Sequence, residues 1–155
     1  MASPTGARTT ATAAPTDAAA IAARLRVSAT RLARQLRQES EPGLTPSQLS
    51  ALTSVEHNGP LTLGRLAEHE RVAPPSVTKI VVKLEEAGLV ERRLDDRDRR
   101  VAWVSITAAG TARLAKIRQR KTEWLAARLA KLGDDDRRRI ADALAALDSI
   151  TADPR

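Results

Sequence analysis

The chain has 155 residues, with 26 Lys and Arg against 19 Asp and Glu, for a formal net charge of +7. That length suits one domain around a single core, and the positive surplus favours a polyanionic partner, nucleic acid foremost. Cysteine is absent, which excludes disulfides, thiol nucleophiles and thiol redox sensing, and Trp103 and Trp124 as the only aromatics argue against base-stacking readers of single strands.

Residues 1–16 are rich in Ala, Thr and Pro and lack the apolar stretch of a secretory signal, so they read as a flexible tail. No run approaches the roughly 20 apolar residues of a membrane span. The expectation is a cytoplasmic protein with no membrane partner. From Asp17 to Gln38, Ile21, Leu25, Leu32 and Leu36 form one apolar helical stripe, and Arg24, Arg31, Arg34 and Arg37 a solvated basic face. Pro42 and Gly43 end that helix. Thr45-Pro46-Ser47-Gln48 then carries a helix start, with a cap, a first-turn proline and a Gln three residues on, as in a capping box. Leu49, Leu52 and Val55 give this helix its buried face, and His57 to Pro60 break it.

Leu61 to His69 is predicted as a short helix capped by Thr62, with Leu63, Leu66 and Ala67 inward. After a tight connection from Glu70 to Ala73, Pro74 opens a helix whose Val77, Ile80, Val81 and Leu84 repeat at helical spacing. Gly88 ends it as a left-handed cap. Two strands follow, Val90 to Leu94 and Val101 to Ile106, joined by the polar tip Asp95 to Arg100. Leu114, Ile117, Trp124, Leu125, Leu129 and Leu132 then predict one long helix ending at Gly133. Asp134 to Asp136 open the last helix, where the dipole favours negative charge, and Ile140, Leu144 and Leu147 give it a stripe. The fold class is therefore mainly α with a small β-hairpin wing.

A short helix, a tight turn and a second helix followed by a hairpin make a winged helix-turn-helix, with the second helix entering the major groove. With its core positions assigned, that helix leaves Pro75, Ser76, Thr78, Lys79 and, one turn on, Lys83 facing outward. Hydroxyls and lysines can meet base edges or phosphates; ordinary solvated helix residues are the alternative reading.

The segments Thr62-Leu63-Gly64-Arg65-Leu66-Ala67, Ser76-Val77-Thr78-Lys79 and Leu84 to Val90 resemble the central block of the MarR family. Asp98-Arg99-Arg100, then Val104-Ser105-Ile106-Thr107 and Gly110, resemble that family's wing and its following helix. The likeness covers residues 45–110. It implies a homodimer on a pseudo-palindromic double-stranded operator, with residues 17–40 and 108–155 as dimerisation helices, 45–107 as the reading unit and 17–155 one domain. It further implies that Arg100 enters the minor groove, that Asp98 orients it, and that Arg97 and Arg99 lie near phosphates. A narrow A·T-rich minor groove concentrates negative potential that attracts such a guanidinium. A solvated hairpin whose charges pair among themselves is the competing account.

This chain departs from the family pattern at Ala73, where a capping Ser is common, and in the paired Pro74 and Pro75, which remove two amide donors. Trp103 stands where smaller aliphatics are common and packs either on the wing or on the DNA backbone. Asp95, Asp96 and Asp98 sit among Arg97, Arg99 and Arg100, which neutralise them rather than leave a metal site. His57 and His69 read as surface or capping residues. No catalytic constellation and no cofactor motif is present, so the chain does not read as an enzyme. Relatives bind small lipophilic or phenolic anions between dimerisation helices and reading unit; Trp124 either lines such a pocket or packs in the core or dimer interface. A ligand-released repressor is the first functional reading. A sequence-tolerant architectural DNA binder and a winged-helix protein-interaction module are the others.

Overall fold

The computed structural model describes residues 17–39 and 43–152; the expected tail at 1–16 and Pro42 lie outside them. The chain divides after Gln38 into two compact units.

The first unit holds helix α1, Ala18–Gln38. The Asp17 carboxylate starts it by accepting the Ala20 N–H at 3.1 Å. No residue of α1 is buried; Ile21 and Leu32 of its stripe are exposed and Leu25 and Leu36 half-buried.

The second unit begins with α2, Pro46–Asn58, then β1, Leu61–Thr62, and α3, Leu63–Glu70. The predicted capping box is present in full. The Gln48 N–H donates to Thr45 Oγ1 at 3.2 Å, and the Thr45 N–H donates to Gln48 Oε1 at 2.7 Å. Thr45→Ala is expected to cost about 1 kcal/mol, read as a lower denaturation midpoint with an unchanged slope.

Helix α4, Pro74–Glu86, is followed by strands β2, Val90–Leu94, and β3, Ala102–Ile106. Gly88 ends α4 with φ 70°, as its sequence position predicts. Its N–H reaches Glu85 O at 2.8 Å and the Leu89 N–H reaches Leu84 O at 2.9 Å, the two bonds of a Schellman motif. The sheet has three strands in the order β1-β3-β2, all antiparallel, where two were expected. Leu61, assigned from sequence to the next helix, pairs instead with Val104, and Thr62 with Trp103. Thr62 then caps α3, accepting the Arg65 N–H at 3.3 Å. A two-residue strand is too short to show alternation, and the cap signal on Thr62 masks it.

Helix α3 runs on to Glu70 and closes on Arg71 in the left-handed conformation, φ 53°. This leaves three residues, Arg71 to Ala73, between α3 and α4. Helices α5, Ala108–Leu129, and α6, Asp134–Thr151, complete the unit. The expected end of α5 at Gly133 moves back to Leu129. Lys131 and Leu132 bond three residues back, to Arg128 O and Leu129 O, tightening the last turn out of α-geometry. Gly133 becomes the N-cap of α6, with Asp134 to Asp136 in its first turn as predicted.

Leu52, Leu66, Val77, Val81, Leu84 and Val104 are wholly buried, and Val55 very nearly so, bringing α2, α3, α4 and β3 onto one core. Leu114 and Ile117 of α5 are buried too. Burying each such side chain contributes about 1.5–3 kcal/mol. Among the described residues no polar or charged residue is buried. On α6, Ile140, Leu144 and Ile150 are exposed.

Candidate nucleic-acid interface

Helix α4 buries Val77, Val81 and Leu84 and half-buries Ile80, which turns Pro75, Ser76, Thr78, Lys79 and Lys83 outward. Ala73 provides no side-chain cap. The two prolines carry no N–H, and the amides of Ser76 and Val77 both bond back to Ala73 O, at 2.9 and 3.4 Å. The usual anion-binding amides of a helix start are therefore spent or missing. Any phosphate met there must be held by side chains. The Thr78 hydroxyl donates to Pro74 O at 3.1 Å, and its lone pairs remain available. Lys83 is paired with Glu86 at 2.8 Å.

The wing is tied to this helix. Arg92 on β2 reaches Glu85 on α4 through Nη2 at 2.6 Å and Nε at 2.7 Å, a link that carries no signal in the sequence. Thr107 makes a second tie, its N–H to Leu89 O at 3.1 Å and its hydroxyl to Gly88 O at 2.7 Å. Thr107 also caps α5, accepting the Gly110 N–H at 3.0 Å. Further back, Arg118 on α5 forms a two-pronged pair with Glu56 on α2, at 2.6 and 3.0 Å, and holds that carboxyl below its ordinary range.

At the wing tip, Arg100 is 91% exposed along its side chain and is paired with Asp98. Asp98 Oδ1 accepts Arg100 Nε at 3.0 Å, Oδ2 accepts Nη2 at 3.1 Å, and Oδ1 also accepts the Arg100 N–H at 3.0 Å. This planar two-bond geometry is the strong form of an Arg–carboxylate contact. Arg97 and Arg99 are exposed on the same tip.

Asp95 differs from the sequence reading. Arginine was expected to neutralise it; instead Oδ1 accepts the N–H groups of Arg97 and Asp98, at 2.9 and 3.0 Å, and Oδ2 accepts Trp103 Nε1 at 3.0 Å. The polar edge of Trp103 is thereby committed within the wing, while 38% of the residue stays exposed.

The Trp103 N–H first, and the two amides after it, hold the Asp95 carboxyl below the ordinary 3.8. The Arg100 guanidinium and N–H do the same for Asp98. Both groups are depressed on folding, so their contribution to wing order is full above pH 3.8 and is lost as pH falls through the lowered values. In an NMR titration both carboxyls should show inflections below 3.8; ordinary values would mean the wing contacts do not persist in solution.

A helix pair on a tight turn, with a hairpin bonded to the second helix, defines the winged helix-turn-helix class. The MarR family model matches residues 44–102. An HTH-type transcriptional regulator of Mycobacterium tuberculosis (strain CDC 1551 / Oshkosh) is 40% identical over 134 residues, covering 83% of this chain and 93% of that one. The HTH-type transcriptional repressor MdtR of Bacillus subtilis (strain 168) is 30% identical over 112 residues, 72% of each chain. Among solved structures, that of a MarR family protein from Bacillus stearothermophilus matches with a TM-score of 0.68 at 26% identity, covering 87% of this chain and 95% of that one. The chain belongs to the MarR family of helix-turn-helix transcriptional regulators.

Proposed function

We propose that the protein is an operator-specific repressor, acting in the cytoplasm as a homodimer on pseudo-palindromic double-stranded DNA and released by a small lipophilic or phenolic anion. Pro75, Ser76, Thr78, Lys79 and Lys83 read the major groove, Arg100 enters the minor groove on the Asp98 carboxylate, and Arg97 and Arg99 meet phosphates. The observation that carries this reading is Arg100 itself, exposed to solvent at the wing tip and engaged by both carboxylate oxygens of Asp98. A side chain ordered before contact loses less conformational freedom on binding. The function is recognition, with no catalytic role.

Dimerisation is supported by exposed apolar side chains of the two stripes, Ile21 and Leu32 on α1 and Ile140 and Leu144 on α6. The effector is supported by Trp124, whose ring lies 3.3 Å from the Arg128 guanidinium carbon and whose Nε1 is buried without an acceptor among the described residues. A buried donor left unpaired costs about 1–3 kcal/mol, and either a partner subunit or a bound anion would relieve it. No helix among the described residues is long and apolar enough to cross a membrane.

The test is fluorescence anisotropy on duplex from the region upstream of the protein's own coding sequence, against a scrambled duplex, across a salt series. Binding that survives competitor DNA is expected. Equal, steeply salt-dependent affinity for both duplexes would move the function to a sequence-tolerant architectural binder, and no duplex binding would leave a protein-interaction module.

A further inference from the structure

We infer that Asp95 and Trp103 form a positioning pair that sets where Arg100 enters the groove, an inference that rests on the DNA-reading role proposed above for Arg100. The contacts run as one chain from the sheet to the tip. Trp103 sits on the central strand, paired with Thr62 on one side and Arg93 on the other, so its backbone is held from both sides. Its indole N–H holds one oxygen of Asp95 at 3.0 Å, and the other oxygen holds the amides of Arg97 and Asp98. Asp98, placed by its own amide, holds Arg100 by three bonds. The hairpin mouth closes beneath them through Asp95 N–H to Val101 O at 2.9 Å and Val101 N–H to Asp98 O at 2.8 Å.

Among the described residues the tip, Asp95 to Arg100, carries only charged side chains, so its geometry leans on such bonds. The indole is 38% exposed in a chain with only two aromatics, and its structural value lies in the one donor that Phe lacks. Asp95 and Trp103 thus act through Asp98 and Arg100 rather than by touching DNA.

The full-length protein is titrated with its upstream duplex and with the same duplex after G·C replaces the A·T steps flanking each half-site. W103F keeps an aromatic ring and removes the donor; D95N keeps one acceptor oxygen, which can serve the amides or the indole N–H and not both. Each should weaken binding about fivefold, and D95A should approach R100A. All three should erode the preference for A·T flanks, because that preference is read by Arg100. In an R100A background each should add less than about twofold. Losses as large with Arg100 absent as with it present would overturn the inference and give Trp103 or Asp95 a direct contact with DNA. Should D95A fail to fold by circular dichroism, W103F and D95N decide alone. If R100A binds as tightly as wild type, the proposed role of Arg100 falls and this inference with it, a result distinct from every outcome above.

Discussion

Gly110→Ala should destabilise the protein by about 3 kcal/mol, against the sign that helix propensity predicts. Gly110 is the third residue of α5, where alanine in a free helix would gain about 1 kcal/mol. A Cβ built there would lie 2.2 Å from Leu89 O and 2.7 Å from Ile106 Cγ1. Leu89 O is no flexible side-chain end. It is backbone, already accepting the Thr107 N–H, in the segment that links the end of α4 to β2. Relief would require α5 to lift from the wing root, and the tie through Thr107 would go with it. The measurement is the denaturation midpoint at fixed protomer concentration, because the proposed homodimer would make stability concentration-dependent. A stabilised variant would mean that α5 does not pack on Leu89 as described.

Arg100→Ala should weaken operator binding by roughly ten- to a hundredfold and relax the preference for A·T steps at one position in each half-site. Arg24→Ala, on the basic face of α1, removes the same formal charge. It should change affinity only through the general field, by a few-fold at low salt and less at high salt. The comparison separates placed charge from mere charge, which a net +7 cannot do by itself. Anisotropy at two salt concentrations suffices. Equal losses for the two variants would remove the assigned role of the wing arginine.

Most of the architecture was legible because its signals are local. The capping box at Thr45 and Gln48, the left-handed Gly88, and the apolar spacing of Val77, Val81 and Leu84 lie within a few residues of what they control, and the structure bears each out. Contacts between distant segments were not legible. Glu56 and Arg118 are 62 positions apart, and each on its own reads as an ordinary surface charge. The roles of Glu85 and Arg92 depend on how the hairpin folds back, which no periodicity reports. The left-handed Arg71 was missed because that conformation is normally announced by Gly or Asn. At the wing tip, charge balance pointed to arginine partners for all three aspartates. For Asp95, amides and an indole prevailed, because the turn brings them closer than any guanidinium.

Thr62 ends a strand and caps a helix at the same position, so sheet and reading helices share a residue with no linker between them. Adding or deleting one residue at this junction would shift β1 against β3 and turn Leu61 from the core to the opposite face. It would also slide the hydroxyl away from the α3 amides. Relatives of this protein should therefore differ in length at the hairpin tip, or in the turn at 130–133, and keep the stretch 61–63 unchanged in length. The junction constrains how such proteins can diverge: new operators must come from exchanging side chains on a fixed frame, because the frame itself cannot be re-spaced at this point.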